Sequence, residues 1–184
     1  MAAAADAYTR ERYRDADNIL KELATLAPES IAIRELHGIT LYRLGRWRAA
    51  SRQMQMVADM TGAVDQHPIL ADCERALGRH ERVERLWLEL RRGGASIETL
   101  SEGRIVVAGS LADRGRLAEA IELLETSGGK PVQHPAERHL RQWYALADLY
   151  ERAGDVPRAR ELFRKVVEHE PELSDSVERL AALG

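Results

Sequence analysis

A glycine followed five residues later by alanine or valine recurs four times along this chain. The pairs are Gly45 and Ala50, Gly78 and Val83, Gly115 and Ala120, and Gly154 and Ala159. Glycine ends a helix readily because it tolerates positive φ, and a small residue soon afterwards lets the next helix approach closely. The recurrence therefore predicts a succession of helix–turn–helix units without β-strands.

The last of these units carries the fullest pattern. Its large, small and turn residues are Trp143, Leu146, Ala147, Tyr150, Gly154, Ala159, Phe163 and Pro171. Their order and spacing resemble the tetratricopeptide repeat, a helix–turn–helix unit of about 34 residues. The resemblance implies an all-α, right-handed superhelical solenoid of antiparallel helix pairs, with about ten or eleven helices. It also implies that the large side chains of this unit, Trp143 among them, are buried.

The chain is predicted to form one solenoid over residues 1–184, with about four and a half repeats. Repeats are expected at 31–63, 64–97, 98–135 and 136–173, after a partial repeat at 1–30 and before a capping helix at 174–184 that starts from Ser174. Residues 2–8 are too short and featureless to predict a first helix. The turn glycines lie 33, 37 and 39 residues apart, so the repeat at 98–135 is expected to be looser, with extra residues at 91–95 and 127–131.

Composition indicates a folded chain that binds neither nucleic acid nor membrane. Of its 184 residues, 45% are hydrophobic and 31% charged, and the formal net charge is −3. An acidic balance of this kind does not attract polyanions. Arginine supplies 24 of the 27 basic residues, a bias typical of GC-rich bacterial genes, and it alternates with Asp and Glu as on a solvated helix surface.

Location is inferred from what the sequence lacks. No apolar run approaches the roughly 20 residues needed to cross a bilayer. The first residues carry neither the basic start nor the apolar stretch of a secretory signal. A cytoplasmic location is therefore expected.

Catalytic and metal-binding patterns were sought without success. The single cysteine, Cys73, cannot form an intramolecular disulfide and is predicted to be a buried thiol. The glycines at 128 and 129 lack the spacing of a phosphate-binding loop. Six histidines are scattered without helical metal-ligand spacing: His37, His67, His80, His134, His139 and His169. The sequence predicts a non-catalytic protein without cofactor or metal.

The resemblance places a ligand surface on the concave side, along the first helix of each unit. The positions carried over are Glu35, Ile39, Tyr42, Asp65, Asp72, Arg75, Glu102, Ile105, Arg141, Tyr144, Asp148 and Glu151. Some members of the family bind acidic tails through lysine, asparagine and arginine, but Glu35, Ile39 and Asp72 stand in those positions here. An acidic surface favours a basic or amphipathic protein segment. Equally, Asp72 and Asp148 are expected to pair with Arg75 and Arg152.

Two other functions stay open at this stage. The chain is either a peptide-binding scaffold, a self-associating module that forms homo-oligomers, or a regulatory domain of a larger protein. His37 stands where the repeat normally buries leucine. Either Leu36 takes over that packing, or the imidazole finds a backbone partner.

Overall fold

The computed structural model describes residues 1–126 and 134–184, and in those ranges the chain is helical without strands. The helices described are α1 (Ala2–Thr9), α2 (Tyr13–Leu26), α3 (Ile31–Arg43), α4 (Trp47–Thr61), α5 (His67–Ala76), α6 (His80–Arg92), α7 (Ile97–Asp113), α8 (Leu117–Glu125), α9 (Glu137–Arg152), α10 (Val156–His169) and α11 (Ser176–Ala182). The all-α prediction is confirmed. The extra residues predicted at 127–131 lie outside the described ranges.

Contacts divide the chain into two compact units, Met1–Thr99 and Leu100–Gly184. In the first unit, each helix from α1 to α6 packs against the next one along the chain. In the second unit, α8 packs on α9, α9 on α10 and α10 on α11. This is the arrangement of stacked helix pairs.

The predicted turns share one backbone geometry. The turn glycines have positive φ, from 68° at Gly45 to 81° at Gly154. The residue after each glycine donates its N–H to a carbonyl five residues earlier, as from Arg46 to Leu41 (2.9 Å) and from Asp155 to Tyr150 (2.8 Å). Such a bond satisfies a carbonyl that the end of the helix leaves free.

The expectation that residues 2–8 form no helix is wrong. They belong to α1, which pairs with α2 through the same turn: Arg12 donates to the Ala7 carbonyl at 2.8 Å. The left-handed position is held by Glu11, with φ 57°, instead of glycine. The sequence therefore lacked the signal that marked the other turns.

Small residues allow the helices of a pair to approach closely. A Cβ atom added to Gly38 in α3 would lie 2.4 Å from the Met54 Cε atom in α4. In the second unit, Ala147 in α9 and Ala159 in α10 are 0% exposed, as is Phe163. The predicted interior position of Trp143 is only partly correct, because its side chain is half-buried and lies edge-on to the His169 ring, with centroids 6.1 Å apart.

The capping helix starts later than the sequence indicated. α11 begins at Ser176 with Asp175 as its N-cap residue, whereas Ser174 has a left-handed φ of 56°. Leu180 and Leu183 pack against the core of the second unit. The helix therefore covers the end of the α9–α10 pair, from a start two residues further along the chain than predicted.

Two leucines of α6 test the packing. Leu86 is 1% exposed and Leu88 is 46% exposed. Leu86→Ala should lower the free energy of unfolding by about 2–5 kcal/mol, because it leaves a cavity between helices. Leu88→Ala should change it by about 0.5 kcal/mol, the scale of a surface substitution. Urea titration followed by circular dichroism measures both, and equal losses would contradict the assignment of the buried face.

Candidate interaction surface

The first helices α3 and α5 carry the predicted surface residues of the N-terminal unit. The Tyr42 hydroxyl donates to Asp72 Oδ2 at 2.5 Å, and Arg75 Nε donates to Asp72 Oδ1 at 2.8 Å. Gln66, which immediately precedes α5, donates to Glu35 Oε1 at 2.8 Å. The expected pairing of Asp72 with Arg75 is therefore present, and neighbouring first helices are joined side by side through polar groups.

The remaining predicted residues of this unit differ in position. Ile39 is half-buried in α3. Asp65 is exposed in the segment before α5, so it does not belong to a first helix. Burial, and after it the charge of Asp72, raises the pKa of Tyr42 well above its usual range, so the phenol keeps the proton that it donates.

Aromatic pairs that the sequence analysis missed lie beside these residues. Tyr42 packs edge-on against Trp47 with ring centroids 5.3 Å apart, and Tyr8 packs in the same way against Tyr13 at 5.4 Å. The two pairs stand one repeat of 34 residues apart in the sequence, and all four rings are half-buried. A hydrogen bond with Tyr8 raises the pKa of Arg43, which lies between the pairs in sequence. The exposed ring faces widen the candidate surface beyond the charged residues.

In the C-terminal unit, α7 and α9 are joined at the predicted positions. Arg141 Nη1 lies 3.4 Å from Glu102 Oε2 and also pairs with Glu137 within α9. Ile105 is half-buried in α7 and packs against the core of the unit. Arg152 contributes longer ion pairs, 3.8 Å to Asp148 and 3.9 Å to Asp113.

The other three predicted residues of α9 contact the capping helix region. The Tyr144 hydroxyl donates to Asp175 Oδ1 at 2.5 Å. Arg179 in α11 lies 2.9 Å from Asp148 and 2.7 Å from Glu151. Sequence reasoning did not assign Asp175 or Arg179 to the surface. The signal was the repeat period, because 34 residues beyond α9 the chain reaches the place of a further first helix.

His37 is resolved by a buried charge. Its Nε2 atom donates to Asp17 Oδ1 at 3.0 Å, and Lys21 and Arg46 bind the other carboxylate oxygen. The imidazole partner is therefore a side chain from α2, not the backbone, while Leu36 takes up part of the apolar packing. Burial alone would raise the pKa of Asp17, but the hydrogen bonds from Lys21 and His37 outweigh it and lower the pKa.

A second buried carboxylate lies in α5. Glu74 is 4% exposed, accepts a hydrogen bond from Ser51 in α4, and pairs with Arg79 at 3.1 Å. Both buried carboxylates are thus satisfied within the fold. Burial raises the pKa of the neighbouring Cys73 thiol to about 12, so the thiol stays protonated and is a poor nucleophile.

The described residues contain no group of three or more His, Cys, Asp or Glu side chains placed to hold a metal ion. Within the same ranges, no helix is both long and apolar enough to cross a bilayer. Stacked helix pairs with polar first-helix faces define a helical-repeat protein.

Comparisons with known proteins specify the family. Residues 140–183 match the tetratricopeptide repeat family model. A tetratricopeptide repeat protein of Thermus thermophilus has a TM-score of 0.79 at 18% identity, over 100% of this chain and 96% of that chain. One from Parabacteroides merdae has a TM-score of 0.78 at 17% identity, over 98% of this chain and 68% of the other. No curated protein is significantly similar in sequence. The chain is a tetratricopeptide repeat protein, and identities this low establish the fold alone.

The charge on Asp17 should stabilise the fold in a pH-dependent way. Asp17→Asn should lower the free energy of unfolding by about 3 kcal/mol near neutral pH, since it removes one member of a buried ion cluster. The folded-state pKa of Asp17 is lowered, so its contribution is present above the ordinary carboxyl pKa of about 3.9 and is lost as the pH falls through the lowered value. The gap between variant and parent should therefore close in acid.

Asp15 provides the matched control for this measurement. It lies two residues away in α2, its side chain is 59% exposed, and its pairing with Arg12 is long, at 3.9 Å. Urea unfolding of Asp15→Asn should match the parent within about 0.5 kcal/mol. A gap for Asp17→Asn that stays constant across the acid range would show that its carboxylate charge does not stabilise the fold.

Proposed function

We propose that this protein is a non-catalytic scaffold that binds a basic or amphipathic segment of a partner protein on the concave face formed by its first helices. The observation that carries the proposal is the combination of half-buried aromatic rings and carboxylates on α1, α3 and α5. Tyr8 and Tyr42 supply ring faces, while Glu35 and Asp72 supply negative charge. The tetratricopeptide fold supports a role in protein interaction.

The side chains of this surface are suited to binding. Aromatic residues give a large contact area with few rotatable bonds, and they are enriched at protein interfaces. The carboxylates are fixed by their neighbours, as Asp72 is by Tyr42 and Arg75. A fixed acceptor loses little side-chain entropy when a ligand binds.

The charge and the cysteine support the rest of the proposal. A net charge of −3 favours a protein partner over nucleic acid. One buried, unpaired cysteine suits a reducing compartment, which supports the cytoplasm. The arginine-rich composition supports a bacterial source.

Charge reversal on the first helices tests the proposal. A triple variant, Glu35→Lys, Asp72→Lys and Asp148→Lys, should bind a lysine-rich amphipathic helical peptide about tenfold more weakly than the parent, a difference of about 1.4 kcal/mol. The parent should lose affinity as salt rises, and the variant should respond less, because fewer charges face the peptide. Fluorescence anisotropy of the labelled peptide measures both effects.

A second triple variant controls for net charge. Glu22→Lys, Asp59→Lys and Glu168→Lys place the same charge change on exposed positions of the second helices α2, α4 and α10. This variant should bind like the parent at physiological salt, where charges more than about 8 Å away are screened. Equal weakening by both triple variants would mean that attraction is general, and the proposed surface would be wrong.

A further inference from the structure

Arg179 of the capping helix α11 is held in a site built entirely by α9 and α10. Its Nη2 atom lies 2.9 Å from Asp148 Oδ1 and 2.7 Å from Glu151 Oε2, and its Nε atom donates to Glu151 Oε2 at 3.0 Å. The guanidinium carbon stands 5.0 Å from the centre of the Phe163 ring. We call the surface formed by Asp148, Glu151 and Phe163 the arginine slot.

The arginine slot requires a cation. Without Arg179, Asp148 would keep only Arg152, at 3.8 Å, and Arg152 also pairs with Asp113. No other ion pair of Glu151 is present in the described part of the chain. Two carboxylates beside an aromatic ring form a strong site for a guanidinium, which binds carboxylates through several N–H groups and stacks on ring faces.

The helix that supplies Arg179 is held weakly compared with the helices of the core. α11 has seven residues, and Ser176 is its only buried residue. A helix this short does not form on its own, so it depends on Arg179, on the Asp175 contact with Tyr144, and on the partly buried Leu180 and Leu183. Segments with few buried contacts open at low free energy.

We propose that the arginine slot is a docking site for an arginine of an amphipathic partner segment, and that α11 is its internal occupant, which the partner displaces. This inference rests on the proposed function and specifies the residue that the partner presents. The chain itself shows the matching chemistry: an arginine followed at the next and the fourth position by leucine, as in Arg179, Leu180 and Leu183. The second unit would thus bind its partner by exchange.

The test uses the full chain and a labelled peptide with the sequence of residues 171–184 as the probe. Arg179→Ala removes the internal competitor, so this variant should bind the probe at least about tenfold more tightly than the parent, because a larger fraction of molecules has an open slot. Val177→Ala, at a 45% exposed position of the same helix, should bind like the parent. Fluorescence anisotropy gives the affinities, and circular dichroism verifies that each variant keeps its helicity.

Two changes address the chemistry of the arginine slot. The same peptide with lysine in place of its arginine should bind the Arg179→Ala chain about tenfold more weakly, since lysine lacks the forked set of donors. Adding Asp148→Asn and Glu151→Gln to that chain should abolish the preference for arginine. If Arg179→Ala weakens the fold, the comparison is repeated with Leu183→Ala, which loosens α11 and leaves the slot intact.

The outcomes separate this inference from the proposed function. Equal, weak binding of the probe by the parent and by a helical Arg179→Ala chain would show that α11 is a fixed cap, and the inference would fall. Tighter binding that does not depend on Asp148 and Glu151 would also overturn it. Either result leaves the charge-reversal experiment on Glu35 and Asp72 unaffected, so the scaffold proposal stands or falls separately.

Discussion

Close approach of paired helices at small residues is the constraint on which the structure depends. At equivalent positions of the second helices stand residues that are 0% exposed: Ala16, Ala50, Val83, Ala120 and Ala159. Opposite one of them, Gly38 leaves room for Met54. Because stacked pairs bury their apolar faces only against neighbours, a larger residue at such a contact would push two helices apart. It would thereby change the spacing of the first helices, which carry the interaction surface.

Local patterns predicted most of the fold, and contacts between distant residues were the part that they missed. The turn glycines and the small residues after them correctly located four helix pairs. The first pair was missed because Glu11 takes the left-handed turn position without glycine. The partner of His37 was missed because Asp17 stands 20 residues earlier, beyond any helical periodicity. Trp143 followed the repeat pattern, yet its side chain lies at the edge of the unit beside His169.

For the candidate surface, the repeat register indicated the face but not the pairing. It correctly grouped Tyr42 with Asp72, whose hydrogen bond joins α3 and α5. The register also placed Asp148 and Glu151 on one face of α9, but it could not show that Arg179 neutralises both. Pair formation depends on rotamers and on the helix that follows, and neither is encoded in spacing. The polar residues of the surface therefore act first on one another, and a ligand must compete with those bonds.

The buried carboxylates of the N-terminal unit have a consequence for how the repeats unfold. Asp17 belongs to the first helix pair, yet it binds His37 and Arg46 of the second; Glu74 of the third pair accepts from Ser51 of the second. If one pair frayed from the stack, its neighbour would be left with an uncompensated charge or an unsatisfied polar group in its interior, which is strongly unfavourable. Repeat arrays joined only by apolar contacts can lose their ends gradually. These shared charges favour instead a single cooperative transition, in which three repeats are retained or lost together.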